Sequence, residues 1–350
     1  MMRAAVAIAV LLFSATVQAG LKAHDASAKF PGVKMLAHSI EGTSVDAAGR
    51  IYAVDEYRFV DLKTGAVLFD TQAAGLPDTA FLSSSRVLRG GHFLIGDAGD
   101  HKVYEVAHGS HDKPRVRFQS QEWLQPNDMA ISTDGERAYF SGMVWSGYKG
   151  DVWYSVAGGA LNRITMGTTR AGIKLARTNG IELAADGRRL FVTSAHNEIV
   201  DGDQKPQSAQ IYALDLDADG RPTNGAKWRL MIDVYAAAGE AAARESGLDP
   251  DGMRLDMKGI MYSTLNEHGM VLAWDTKGKR GKKVDLIKLP TVRSPTNLEL
   301  GGKDGRTLVV VGSCTKEKED QGFKACVDMV RVPTPGRAFS DLRKKSTINS

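Results

Sequence analysis

A β-hairpin pattern that recurs along the chain is the sequence feature that most constrains the fold. In its clearest copy Asn179 precedes the alternating run Ile181–Leu183, Asp186-Gly187 supplies a tight turn, and residues 190–193 form the return strand. Similar units begin near Glu41, Phe81, Asn127, Asn179, Asp251 and Asn297. The units therefore recur about every 50 residues, and further short apolar runs follow each hairpin.

Four-stranded units repeated at this length predict an all-β, six-bladed β-propeller of antiparallel blades. A single four-stranded meander cannot bury both of its faces, so each unit needs neighbours around a ring. A β-sandwich is the alternative, but the roughly twenty short strands exceed what a sandwich uses. We expect one domain over residues 20–350, with the propeller at about 33–333, an N-terminal arm over 20–34, and one short helix in the Ala-rich insertion 236–247.

The N-terminal residues have the parts of a secretory signal peptide. Arg3 is followed by ten apolar residues, and Val17-Gln18-Ala19 is a small-residue cleavage site. The prediction is cleavage after Ala19, a secreted or periplasmic protein, and no membrane span in the mature chain; an uncleaved anchor is the alternative.

The two cysteines of the chain, Cys314 and Cys326, flank a charged segment between two β-like runs. In an oxidising compartment this arrangement predicts a disulfide that closes the mouth of a long hairpin. A CxxC redox pair or a zinc site would need another spacing or more ligands.

The charge of the chain does not indicate a nucleic-acid or membrane partner. The net charge is +4 and the basic residues are scattered, apart from a run over residues 277–283. That run is interpreted as a solvated hairpin tip, with a binding patch as the alternative. We expect a monomer that acts on a small molecule.

Polar residues at the start of the inner strands predict a metal site. The first strand of each blade lines the channel of a propeller, so residues just before these strands should converge on the axis. They are Glu41, Asn127, Asn179, Asp251 and, more weakly, Asn297. Two carboxylates with several amide oxygens suit a hard divalent cation, calcium above all, with magnesium, manganese or zinc as alternatives. Each Asn-Gly or Asp-Gly pair could also be a simple turn.

The chain resembles the senescence-marker-protein/gluconolactonase/luciferin-regenerating family of six-bladed propellers. The resemblance rests on Glu41-Gly42, Pro126-Asn127-Asp128, Thr178-Asn179-Gly180 and Pro250-Asp251-Gly252-Met253, with Asp256 and Gly259, and covers about residues 33–332. It implies one divalent cation bound by Glu41, Asn179 and Asp251, with Asn127 as a fourth ligand or a substrate contact. It also implies hydrolysis of sugar lactones, other lactones or related esters.

The implied chemistry assigns the catalytic role to Asp251. The cation would polarise the lactone carbonyl, and Asp251 would deprotonate the attacking water or attack directly. His101, His196 and His268 could face the pocket but are interpreted as loop residues. The alternative function is a non-catalytic propeller that binds a ligand or protein and keeps a structural metal; the degenerate second unit and Thr43-Ser44 after Glu41-Gly42 favour it.

Overall fold

The computed structural model describes residues 20–36, 40–108, 114–144, 149–166, 175–200, 203–223, 227–239, 247–314 and 324–344. The predicted signal peptide, residues 1–19, lies outside these ranges, as do residues 240–246 of the Ala-rich insertion. None of the helices in the described ranges is long and apolar enough to cross a membrane.

Six four-stranded antiparallel sheets form the blades, which confirms the predicted propeller. A short strand β1 (Ala23–Asp25) and two 3-10 turns (Ser27–Lys29, Pro31–Met35) come first. The first blade is β2 (Glu41–Val45), β3 (Ile51–Val54), β4 (Arg58–Asp61) and β5 (Val67–Asp70). The second is β6 (Leu82–Val87), β7 (Phe93–Asp97), β8 (Lys102–Val106) and β9 (Arg115–Gln119). The third is β10 (Gln125–Ile131), β11 (Arg137–Val144), β12 (Lys149–Val156) and β13 (Asn162–Met166).

The remaining blades follow the same order. The fourth is β14 (Ile181–Leu183), β15 (Arg189–Val200), β16 (Asp203–Asp215) and β17 (Arg229–Asp233), followed by the short helix α1 (Val234–Ala238). The fifth is β18 (Asp249–Leu255), β19 (Ile260–Asn266), β20 (Met270–Asp275) and β21 (Lys282–Lys288). The sixth has β22 (Ser294–Gly301), β23 (Thr307–Ser313) and β24 (Ala325–Arg331), and the helix α2 (Arg337–Arg343) ends the described chain.

The N-terminal segment closes the ring, which the sequence did not predict. Residues expected to form a free arm contain β1, and Ala23 pairs antiparallel with Val330 as the outermost strand of the sixth blade. The first and last parts of the chain are thus held together by a strand ladder. The second unit, read as degenerate, is a full four-stranded blade.

The core consists of apolar clusters between adjacent blades. In the described residues one cluster lies at each of the six seams; Phe191, Met253 and Trp274, for example, pack between the fourth and fifth blades. Both faces of a blade are covered, so strands such as Ile51–Val54 are buried at every position. This two-sided burial accounts for the continuous apolar runs in the sequence.

The predicted disulfide is present and links Cys314 to Cys326, with the two Cα atoms 5.3 Å apart. It lies just beyond Ser313 and Ala325, the last paired residues of the β23–β24 ladder. The bond therefore closes this hairpin at the end of the blade where the inner strand begins.

Replacing both cysteines with alanine is expected to lower the free energy of unfolding by up to about 3 kcal/mol, because the bond restricts a loop of about this length in the unfolded chain. Chemical denaturation with and without a reductant measures the loss. The reductant should destabilise the wild type and leave the double variant unchanged. Equal stability of the two proteins under oxidising conditions would contradict the prediction.

Candidate metal centre

Two of the predicted ligands, Asn127 and Asp251, lie in β-bulges near the start of the inner strands. The strand register shifts after Pro126, which places Asn127 in a bulge, and after Pro250, which places Asp251 in the equivalent bulge. A bulge breaks the alternation of side chains and can turn one toward a site that a regular strand would not reach. Asn179 lies two residues before β14 and is almost completely buried.

Glu41 departs from this register by one residue. The bulge of the first blade lies between Glu41 and Ser44, so Gly42 rather than Glu41 occupies the position of Asp251. Gly42 has a left-handed backbone, with φ of 51°. The sequence expectation of equivalent positions therefore holds for Asn127, Asn179 and Asp251, whereas the longer glutamate side chain starts one residue earlier.

The two carboxyl groups, Glu41 and Asp251, lie in an environment that opposes their negative charge. Burial raises the pKa of Glu41 to about 8, and the charge of Asp128 adds to the increase. Burial also raises the pKa of Asp251 well above its usual value, and the charge of Glu41 adds to it. A bound cation would favour the ionised form of both groups.

Two buried oxygen atoms at this site have no hydrogen-bond partner within the described ranges. They are Oδ1 of Asp251 and Oδ1 of Asn266. The other oxygen of Asp251, Oδ2, accepts a 3.0 Å hydrogen bond from Nδ2 of Asn266. Buried oxygens without donors are costly in a folded protein and are the kind of ligand that a hard cation takes. The residues present therefore fit a divalent cation of the calcium type.

Asn297, the weaker ligand candidate, has its side-chain oxygen in contact with donors of the protein. Its side-chain oxygen accepts hydrogen bonds from Thr43 Oγ1 and from the backbone N–H of Leu298, both at 2.9 Å. Its side chain also lowers the pKa of Glu41, which partly offsets the larger increase caused by burial. Because its oxygen already accepts two hydrogen bonds, Asn297 stays the weaker ligand candidate.

The glycines that follow the ligands are required by the close approach of neighbouring blades. A Cβ atom on Gly180 would lie 2.1 Å from the carbonyl oxygen of Asp251, and one on Gly252 would lie 2.8 Å from Cα of Asn297. Such distances exclude any side chain. Asn179-Gly180 and Asp251-Gly252 are thus contact points around the axis, and the alternative of simple turn dipeptides is wrong for this pair of glycines.

A pair of charged residues that sequence reasoning missed lies two positions before two of the ligands. Arg177 Nη2 lies 2.6 Å from Asp249 Oδ2, and both side chains are largely buried. Next to this pair, Nδ1 of His268 lies 2.8 Å from the backbone oxygen of Asn266, the residue that contacts Asp251. The sequence offered one signal for this pair: Arg177 precedes Asn179 by two positions, and Asp249 precedes Asp251 by two positions.

A cluster of buried charges, also missed, lies further along the inner strands. Asp128 Oδ1 lies 3.1 Å from Arg86 Nη2, and Asp128 Oδ2 lies 3.2 Å from Arg254 Nη1. Arg254 also reaches Oε2 of Glu299 at 3.1 Å and donates to the backbone oxygen of Thr43 at 2.9 Å. Arg254 therefore connects four blades directly below the ligands.

Within the described ranges no group of three or more His, Cys, Asp and Glu side chains is arranged to hold a metal. The candidate set has two carboxylates and depends on amide oxygens for the rest, so its assignment as a metal site remains a prediction.

Residues 40–313 match the family model described as the SMP-30/Gluconolactonase/LRE-like region. The chain belongs to this family.

Solved structures share the fold of this SMP-30/Gluconolactonase/LRE-like chain at low sequence identity. A luciferin-regenerating enzyme is 14% identical, with a TM-score of 0.63 over 90% of this chain and 98% of the other. Regucalcin from Agrobacterium tumefaciens, named a calcium-binding protein, is 17% identical, with a TM-score of 0.61 over 85% and 92%. A gluconolactonase from Xanthomonas campestris is 18% identical, with a TM-score of 0.57 over 90% and 95%. No curated protein sequence matches the chain.

Proposed function

We propose that the protein is a hydrolase that opens lactones, such as sugar lactones or related esters, with one divalent cation, calcium first, at the axis of the propeller. The observation that carries the proposal is the pair of carboxyl groups Glu41 and Asp251, both with raised pKa, beside an oxygen of Asp251 that has no hydrogen-bond partner in the described structure. Membership of a family that includes gluconolactonases supports the same class of substrate.

The cation would be held by Glu41, Asn179 and Asp251, with Asn127 as a fourth ligand or as a contact to the substrate. When bound, it supplies Lewis-acid polarisation of the substrate carbonyl. Asp251 Oδ1 would accept the proton of the attacking water, because it has no competing donor among the described residues. Asn266 holds the other carboxylate oxygen and so fixes the orientation of Asp251.

The disulfide and the sequence both support the proposed compartment. A bond between Cys314 and Cys326 suits an oxidising environment, where structural disulfides persist. Together with the signal peptide predicted over residues 1–19, it supports a secreted or periplasmic location.

The test is to remove metal with a chelator, titrate calcium back, and assay a panel of aldonolactones and acyl lactones. We expect one ion per chain and hydrolysis that requires it. Calcium affinity should also increase with pH up to about 8, because the ion must displace protons from Glu41 and Asp251, whose pKa values are raised.

The outcomes of this titration separate the two candidate functions. Stoichiometric metal without turnover of any lactone or ester would support the non-catalytic binding propeller instead. Magnesium and manganese, run in parallel, test the choice of ion. Calcium affinity that does not change between pH 6 and pH 8 would contradict the assignment of Glu41 as a ligand.

A further inference from the structure

A cleft at the other end of the propeller lies between the fourth and fifth blades. Its volume is about 580 Å³, and its walls are the turns at residues 184–189, 257–259 and 276–278. The first two turns follow the C-terminal ends of the inner strands β14 and β18, and the third follows β20 at the same end of the fifth blade, whereas the candidate metal ligands lie near the N-terminal ends of the inner strands. The cleft is therefore separate from the proposed active site.

The rim of the cleft carries basic side chains from both blades. Arg188 comes from the fourth blade, and Lys258 and Lys277 come from the fifth; all three are exposed. None of the three has a carboxylate within 4 Å in the part of the chain that the structure describes. Two acidic residues, Asp186 and Asp215, also line the cleft, against the four basic residues Arg188, Arg189, Lys258 and Lys277. Asp215 is shared by Arg189 at 3.6 Å and Arg229 at 3.2 Å, and Oδ1 of Asp186 accepts a 2.9 Å hydrogen bond from the backbone N–H of Arg188.

The basic run of the sequence lies beside the same cleft. The basic run 277–283 spans the turn between β20 and β21 and the first two residues of β21, and Lys277 and Gly278 line the cleft. The next residues, Lys279 and Arg280, are exposed. The run therefore extends the positive charge along the rim of the cleft. Its interpretation as a solvated hairpin tip does not explain this position.

The floor of the cleft is partly apolar and closely packed. Leu255 contributes from the inner strand β18, Phe191 from the second strand of the fourth blade, β15, and Leu216 from the loop after β16. A Cβ atom on Gly259 would lie 3.2 Å from Oγ1 of Thr276, so the floor at this point has no room for a side chain without an adjustment. A concave volume of this size is within the range of small-molecule sites, which span roughly 300–1,000 Å³.

We propose that this cleft binds a small soluble molecule that carries two or more phosphate groups. Cations on both sides of the seam can each contact a different phosphate, and lysine and arginine are the residues that recognise phosphate by charge-assisted hydrogen bonds. The concave shape favours a compact ligand over a flat membrane surface. Nothing in the proposed lactone chemistry requires this site, so it is a second binding function.

The test measures binding of inorganic pyrophosphate to the full mature chain by calorimetry. The chain carries Glu41→Gln and is treated with a chelator, so that the probe cannot bind through a metal at the axis. The cleft variant is Lys258→Gln with Lys277→Gln. The matched control is Lys63→Gln with Lys303→Gln, two exposed lysines in the turns of other blades that remove the same charge. Vesicles that contain phosphatidylglycerol form a parallel arm.

We expect the cleft variant to lose about tenfold or more of its pyrophosphate affinity and the control to change by less than about twofold, since direct charge-assisted contacts are stronger than distant screened charges. Equal losses of pyrophosphate affinity in both variants would show that the net charge of the protein, not the cleft, governs binding. That result would overturn the proposal. Absence of pyrophosphate binding would overturn it as well, and so would cleft-dependent binding to vesicles alone. Lactone hydrolysis is measured separately on chains that keep Glu41, so each proposal can fail independently.

Discussion

Replacement of Asp251 with Asn is expected to abolish metal binding and to lower kcat/KM for lactones by about 10³-fold or more, since a lost electrostatic contact to the reacting carbonyl alone costs roughly 10²–10³-fold. The amide keeps the shape of the side chain but removes the negative charge and the proton acceptor. Replacement of Glu41 with Gln should weaken metal binding by the same argument. Metal content by mass spectrometry and initial rates on a lactone panel measure both effects.

Stability separates a loss of function from a loss of structure in these variants. Burial opposes ionisation of both carboxyl groups, so the metal-free variants should unfold at a denaturant concentration equal to or above that of the metal-free wild type. The matched control is Glu122→Gln, which changes an exposed carboxylate in the same way and should keep metal and activity. One bound ion per chain together with wild-type turnover in Asp251→Asn would contradict the assigned role.

The fold could be predicted from the sequence because each blade repeats the same local sequence pattern. The same pattern recurs along the chain: a polar residue, a short strand, a Gly-containing turn and a return strand. Only neighbouring copies around a ring can bury both faces of such a unit. Turns such as Asp186-Gly187 and Asp304-Gly305 fix the hairpins locally, and both glycines have the positive φ that this requires. Local signals of this kind can be read without tertiary information.

The parts that could not be predicted depend on contacts between distant segments. Ala23–Asp25 is too short and too polar to be recognised as a strand, and it forms one because it pairs with β24. The helix α2 was not predicted either. Its Arg337 lies 2.6 Å from Glu182 of the fourth blade, so the helix is held by an ion pair across the channel. Arg337 and Glu182 are 155 residues apart in the sequence, which gives no indication of this contact.

The structural role of Gly180 and Gly252, which follow two of the candidate ligands, could also not be predicted from the sequence. Asn179-Gly180 has the composition of a turn, and only the distance of Gly180 from the neighbouring blade shows that it permits close packing. Similarly, Arg254 follows Asp251 by three residues and could be taken for a surface charge. Its burial follows from the arrangement of six inner strands around one axis, which places it among Asp128 and Glu299.

Replacement of Arg254 with Met is expected to cost about 3–5 kcal/mol of stability, because the loss of one partner leaves a buried charge without compensation. Glu299 would keep its burial but lose the guanidinium group at 3.1 Å, while Asp128 would keep Arg86 and the backbone N–H of Met129. The backbone oxygen of Thr43 would lose its 2.9 Å donor as well. The shift of the guanidinium chloride midpoint, with the slopes of the transitions compared, measures the loss.

The control for this prediction is an arginine of the same type in an exposed ion pair. Arg331 pairs with Asp304 at the surface, and Arg331→Met should change stability by no more than about 1 kcal/mol. If the cost at Arg254 comes from an uncompensated charge, then Glu299→Gln in the Arg254→Met background should recover part of it. A cost below about 1 kcal/mol for Arg254→Met, or no recovery in the double variant, would mean that packing around the axis rather than charge compensation holds the inner strands together.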